Sequence, residues 1–359
     1  MRYDFAVVGA GIAGASVTAA LAPHASVVLL EAEDTPGYHS TGRSAAFWHE
    51  TLGGPLVQPL SVASLPTLRD GGFLKPRKSL NVAEPGQEGL LDALVDKFAG
   101  CGVRLTRLDA EGVRRWVPRA NERLTGGVLE EDCADIDVAA LHAEFLRRVR
   151  QAGGALRTGF RLERIVREDG GWRLTSGDQA VEAGTVVNAA GAWADTVAAL
   201  AGAEPLGIRP LRRTIAQVRV TTADVPTDLP LTIDIAGSFY FKPEGPDRLW
   251  LCPHDETPVD AHDVAPEELD VATAIDRFET VTDWRVAAVE RKWAGLRSFA
   301  PDRLPAFGFD PAVPDLFWCA GQGGVGIQTA PAAGQLCADL LLGRAPAVDP
   351  APYSPARFR

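Results

Sequence analysis

Hydrophobic positions along this chain follow two periods. Residues 3–8, 26–30, 185–190 and 316–320 are short, nearly continuous apolar runs, and each reads as a strand. The run at 185–190 is apolar but for Thr185 and Asn188, which predicts a central strand with parallel neighbours. Helical patterns cover 15–21, 139–151 and 327–342. In the second of these, Leu141, Phe145, Leu146 and Val149 share one face. Residues 155–166 and 172–176 read as further strands. Two segments differ in character, 53–137 and 209–289. The second carries longer strands with alternating polarity at 214–220, 239–242 and 249–252. Apolar strand, glycine turn and helix follow one another at the start, middle and end of the chain. The pattern predicts an α/β protein. A Rossmann-like domain (1–52, 138–208 and 290–345) is interleaved with an α+β domain holding a large mixed or antiparallel sheet (53–137 and 209–289). A proline-rich tail, 346–359, completes it.

The first glycine turn is the most informative. Gly9-Ala10-Gly11-Ile12-Ala13-Gly14 stands between a strand and a helix, and the next strand ends on Glu31. Gly9 permits the tight turn and Gly11 the close approach of a pyrophosphate. Gly14 lets the helix pack against the sheet. The helix N-terminus offers free N–H groups and the positive end of a dipole to phosphates. Glu31 is placed to accept hydrogen bonds from a ribose, which disfavours a cofactor phosphorylated there. A dinucleotide is expected; the fingerprint alone does not separate FAD from NAD. Gly191 opens the middle turn and is read as a further cofactor contact; Gly321-Gln322-Gly323-Gly324-Val325-Gly326 opens the last.

Composition narrows the partners. The net charge of −11 argues against nucleic acid. No run approaches the ~20 apolar residues of a membrane span. The first strand begins at once, leaving no room for a signal peptide. Five scattered cysteines form no C-x-x-C pair, so a reducing cytoplasm is expected and neither a disulfide framework nor a metal site. Asp135 and Asp137 read as a turn and a helix cap rather than metal ligands.

The stretch Pro36-Gly37-Tyr38-His39-Ser40-Thr41-Gly42-Arg43-Ser44-Ala45-Ala46 resembles the D-amino acid oxidase-like group of FAD-dependent amine oxidoreductases. Residues 187–195, 258–264, 293–299 and 321–329 share the resemblance, which is nearest to the bacterial D-arginine dehydrogenases. It implies non-covalently bound FAD. Ala13, Glu31, Ala32 and the Leu162 backbone would line its AMP half. Ser40, Thr41, Gly42, Arg43, Ser44, Ala45, Ala46 and Phe47 would pass over the pyrophosphate and the flavin ring. Gly323, Gly324, Val325, Gly326, Ile327 and Gln328 would face the pyrimidine end, where the last helix aims its dipole.

The resemblance also implies a substrate site. Arg213 and Arg297 would clamp a carboxylate, because a guanidinium fork donates two hydrogen bonds at once. Tyr240 would help hold the same carboxylate, and the Gly324 carbonyl would accept from the amine. The bland alternatives are a surface pair for Arg212 and Arg213, a satisfied core hydroxyl for Tyr240, and structural roles for His39, His49 and Trp48. Three positions depart from the D-arginine dehydrogenase pattern: Phe47 replaces a histidine, Leu52 a lid tyrosine, and Ser79 the glutamate that pairs with a basic side chain. The expectation is therefore oxidation of a D-amino acid with a neutral or hydrophobic side chain to an imine, then a 2-oxo acid. The alternatives are a secondary amine, a 2-hydroxy acid, or a flavoprotein subunit active only within a complex. Oxygen, a quinone or a partner protein remain open as electron acceptor.

Overall fold

The computed structural model describes residues 2–359 and has a mixed α/β architecture built on two large sheets. The first sheet has five parallel strands in the order Ala155–Arg157, Val27–Leu30, Arg2–Val8, Gln179–Asn188, Leu316–Ala320. Burial on both faces explains their apolar runs: Val27–Leu30 and Leu316–Ala320 are buried at every position. Arg164–Glu168 and Gly171–Ser176 form an antiparallel extension along the first half of Gln179–Asn188. The run at 155–166 is thus two strands, one at each end of the sheet. Gly159, at φ +64°, ends the first, and the chain crosses the sheet before the second.

The helix Ile12–Leu21 packs against the last helix, Gly326–Leu341. Gly334 makes this contact close; a Cβ there would lie 2.8 Å from the Ser16 backbone. The helix Val138–Gln151 buries Leu141, Phe145 and Val149, and Asp137 caps it by accepting from the Ala140 N–H at 2.9 Å. Asp135 is not a turn residue. It lies in the strand Ala134–Ile136 and pairs with Arg77 (2.5 Å) and Lys242 (2.9 Å).

The second sheet has nine strands and is mixed. Ser79–Ala83 and Leu231–Asp234 pair in parallel, and its other pairings are antiparallel. Its long ribbon joins Arg209–Val220 to Val286–Phe299. Residue 290, expected to begin the last piece of the first domain, falls inside this second strand. The helix Glu268–Val281 covers the sheet with Val271, Ala274, Phe278 and Val281. Residues 346–359 pack onto the body of the fold: Tyr353 is buried against Phe307, and its hydroxyl donates to the Leu56 carbonyl at 2.6 Å. No helix among the described residues is long and apolar enough to cross a membrane.

Candidate active site

One continuous cleft runs from the end of the second strand to the face of the second sheet. Glu31, Ala32 and Leu162 line one end. Gly9, Gly11, Ala13 and Gly191 follow, with Ser40, Thr41, Arg43, Ser44 and Ala45 opposite. Arg213, Tyr240 and Arg297 close the far end with Gly323, Gly324, Gly326 and Ile327. The expected dinucleotide and substrate residues therefore share one cavity, although they come from segments up to about 300 positions apart.

Six expected cofactor residues stand behind the wall instead of lining it. Gly14 is needed for packing: a Cβ would lie 1.9 Å from the Gly9 carbonyl oxygen. Gly42 is similar, with 2.9 Å to the Gly37 oxygen. Ala46 is buried at φ +30°. Phe47 packs with Cys133, Leu231, Tyr240 and Cys252. Val325 is the buried N-cap position of the last helix. The Gln328 amide accepts from the His49 N–H (3.3 Å) and donates to Ser61 Oγ (2.8 Å), tying the loop after Phe47 to the last helix.

At the dinucleotide end several polar side chains already have protein partners. Glu31 Oε2 accepts from the Ala10 N–H at 2.8 Å and Oε1 from the Glu33 N–H at 3.0 Å. The acid thus braces the glycine turn, and each oxygen retains a lone pair for a ribose hydroxyl. Thr41 Oγ1 accepts from the Ile12 N–H at 2.9 Å, satisfying one exposed donor of the first helix. The Arg43 guanidinium turns away from the phosphate position. It donates to the carbonyls of Val264 (3.0 Å) and Ala294 (3.1 Å) and pairs with Asp263. Ser40 Oγ donates to the Leu296 carbonyl at 2.6 Å, and Trp293 Nε1 to that of Arg43 at 3.0 Å. Residues 40–46 are thereby stitched to the strand carrying Arg297. Gly191 has φ +55° and nothing within 4 Å of where a Cβ would stand, so this bare wall admits a ligand closely. Bare glycines along the cleft, with the N-termini of two helices beside it, suit an extended FAD.

The far end is electrostatically unfinished. Strand alternation sends Arg212 and Arg213 to opposite faces. Arg212 pairs with Glu267 and Asp270. Arg213, only 5% exposed, makes one hydrogen bond, from Nη2 to Glu256 Oε1 at 3.0 Å. Its Nε and Nη1 are buried with no partner, as is the Tyr240 hydroxyl. Register explains why Arg297 joins them. Arg213 stands opposite Gly295 and Arg297 opposite Leu211, so the two arginines are diagonal neighbours on one face. Burial and the adjacent Arg213 lower the Arg297 pKa. A Cβ on Gly324 would lie 3.0 Å from Arg297 Nη1, so the last glycine turn abuts the pair. Orphaned buried donors are costly unless something accepts from them. An anion seated between the two arginines would supply acceptors for them.

Burial also pushes the Tyr240 phenol far above its ordinary range and that of Tyr353 up to about 12. Spectrophotometric titration should therefore find both still protonated at about pH 11, where an exposed tyrosine has ionised. Four tyrosinates in the folded protein at that pH would place the Tyr240 hydroxyl in water.

Of the remaining residues singled out in the sequence, His39 lines the cleft and His49, Trp48, Leu52 and Ser79 do not. His49 is buried 3.8 Å from Glu130. Burial alone would raise the Glu130 carboxyl, but the neighbouring His49 and hydrogen bonds from Thr51 and the Glu50 amide hold it below its ordinary value. His39 lines the cleft and contacts Glu33 at 3.2 Å. Trp48 is core and donates to the Ser61 carbonyl at 3.0 Å. Leu52 and Ser79 do not line the cleft; Ser79 is fully buried, its hydroxyl unpartnered. Sequence reasoning missed Glu256 and Arg303, which complete the surroundings of Arg213 and carry no motif.

Comparison with known proteins agrees with this architecture. Residues 180 long are 30% identical to FAD-dependent oxidoreductase domain-containing protein 1 of Xenopus laevis, covering 46% of this chain and 36% of that protein. Glycine oxidase of Geobacillus kaustophilus is 28% identical over 376 residues, covering 99% of this chain and 97% of the enzyme. The crystal structure of a glycine oxidase from the same species matches with TM-score 0.85 at 25% identity over 98% of both chains. L-proline dehydrogenase from P. horikoshii matches with TM-score 0.87 at 20% identity over 99% of this chain and 98% of that one, a likeness of fold alone. The narrower likeness to D-arginine dehydrogenases gives way here to one with glycine oxidases and similar proteins. The model of the FAD dependent oxidoreductase (DAO) family matches residues 4–340, and the chain belongs to that family.

Proposed function

We propose that this flavoprotein oxidises a small amine bearing a carboxylate, namely a D-amino acid with a neutral or hydrophobic side chain. One observation carries the reading: Arg213 Nε and Nη1 and the Tyr240 hydroxyl are buried without acceptors, beside Arg297, at the glycine turn of the last helix. When bound, FAD supplies the two-electron acceptor for a hydride from the substrate α-carbon. The chain's own residues do the rest. Arg213, Arg297 and Tyr240 bind and orient the carboxylate. The Gly324 carbonyl accepts from the amine, which reacts in its neutral form. Phe47, Leu231 and Cys252, packed around Tyr240, keep water from that side. The released imine hydrolyses to a 2-oxo acid and ammonia. A neutral substrate side chain suits the clamp end, where Phe47, Leu231 and Cys252 around Tyr240 are uncharged and would give a buried cation no partner.

Anaerobic mixing with a panel of amines tests this. Neutral D-amino acids should bleach the flavin faster than D-arginine or D-lysine. Glycine belongs in the panel because relatives are glycine oxidases. Preferential bleaching by N-methyl or cyclic amino acids would move the substrate class to secondary amines; bleaching by 2-hydroxy acids alone would overturn the amine reading.

A further inference from the structure

Glu256 lies in the loop after the strand Arg248–Cys252 and faces several guanidinium groups. Its Oε1 accepts from Arg213 Nη2 at 3.0 Å and from Arg303 Nη2 at 2.7 Å, and its Oε2 from Arg303 Nη1 at 3.0 Å. Burial would raise its carboxyl, but Arg303, then Arg213 and Arg297, hold it below its ordinary value. Arg303 is itself fixed in place. Its Cζ lies 3.9 Å from the centroid of the Phe299 ring, and that ring packs under Gly323, where a Cβ would come within 2.2 Å. Both carboxylate oxygens are thus committed to Arg303, and Arg213 receives a single end-on contact. A carboxylate released from Arg303 would gain a second bond by turning onto the unpaired donors of Arg213. Those are the donors a substrate carboxylate needs.

We propose that Glu256 is a built-in competitor for the carboxylate clamp and that Arg303 is the positioning residue that holds it off. This rests on the clamp reading above. Asp255, next in the chain, takes no part, because it accepts from the Thr214 N–H (2.8 Å) and hydroxyl (2.9 Å) on the opposite face. Arg303 touches no expected substrate atom. Its side chain is 54% exposed, so Arg303→Met should leave the fold intact.

The test is acetate titration of the FAD-loaded protein, followed by calorimetry and by the flavin absorbance. Arg303→Met should weaken acetate about tenfold. Glu256→Gln should bind acetate at least as tightly as the natural chain. The double variant should regain the natural affinity. Unchanged affinity in Arg303→Met overturns the proposal, and so does a loss that Glu256→Gln fails to relieve, which is what a merely structural arginine would give. Arg297→Met is the separate control. If it leaves acetate binding intact, or if the natural chain binds no acetate, the clamp itself is wrong and this inference falls with it. If Arg297→Met weakens acetate and Arg303→Met does not, only this inference fails.

Discussion

Arg297→Met should raise the apparent dissociation constant for the amine substrate by roughly 2–5 kcal/mol, or about 30- to 5,000-fold, while FAD stays bound. Two features make the expected loss large. The guanidinium shares its strand face with Arg213 and abuts Gly324 on the cofactor side. Methionine keeps much of the volume and removes all five donors. The partner is then a substrate carboxylate left with one arginine, whose Nε and Nη1 lack any protein acceptor. The effect should be in affinity first and in turnover second, because the carboxylate handle is equally present in ground and transition states. A visible-spectrum titration with a neutral D-amino acid measures the affinity. The flavin-to-protein absorbance ratio checks that the cofactor half is intact. Natural affinity in this variant would remove Arg297 from the site and leave the orphaned Arg213 donors to be explained by another ligand.

The separation of the two halves is why such a variant is informative. Cofactor and clamp residues come from different sheets, joined by hydrogen bonds from residues 40–46 to the strand Val286–Phe299. Arg43 illustrates what the sequence could convey and what it could not. Its neighbourhood was legible as a flavin segment through the family resemblance that residues 36–46 carry. Its partners, Asp263 and two carbonyls more than 200 positions away, were not, because nothing local encodes them. The strand–glycine–helix units were legible for the opposite reason: turn, dipole and apolar run are all local. Residues 155–166 misled because apolar periodicity is blind to a change of neighbour, and only Gly159 hinted at the break. Arg213 was expected in the clamp, with a surface pair of Arg212 and Arg213 as the bland alternative. Strand alternation divides them, one to an acidic cluster and one to the cleft, and register alone brings Arg297 to the second. Glu256 and Arg303 fall 43 and 90 positions after Arg213 in unremarkable sequence, so their pairing is a product of the fold.

Gly14→Ala should abolish retention of FAD in most of the purified protein and cost roughly 3 kcal/mol or more of stability. One methyl group is a small change, and the magnitude comes from having nowhere to put it. The new Cβ would lie 1.9 Å from the Gly9 carbonyl oxygen, 3.1 Å from its carbon and 3.3 Å from the Ala189 side chain. The glycine turn cannot retreat. Gly9 donates to the Leu30 carbonyl at 2.8 Å, stands at φ +100°, and already has Ala189 O within 2.5 Å of where its own Cβ would be. Ala10 is held by Glu31 at 2.8 Å. The helix Ile12–Leu21 cannot retreat either, because Gly334 of the last helix presses on the Ser16 backbone behind it. Neither element can yield without loss, so the added methyl group distorts the turn on which a pyrophosphate would rest. Gly89→Ala is the matched control. It lies in the helix Glu88–Lys97 with nothing within 4 Å of the added methyl, and it should be neutral or stabilising by up to about 1 kcal/mol. The flavin-to-protein ratio and thermal melts of the two variants decide the matter. Full FAD content in Gly14→Ala would mean that the first helix can stand off its strand without loss, and that the tight glycine turn is not what holds the dinucleotide.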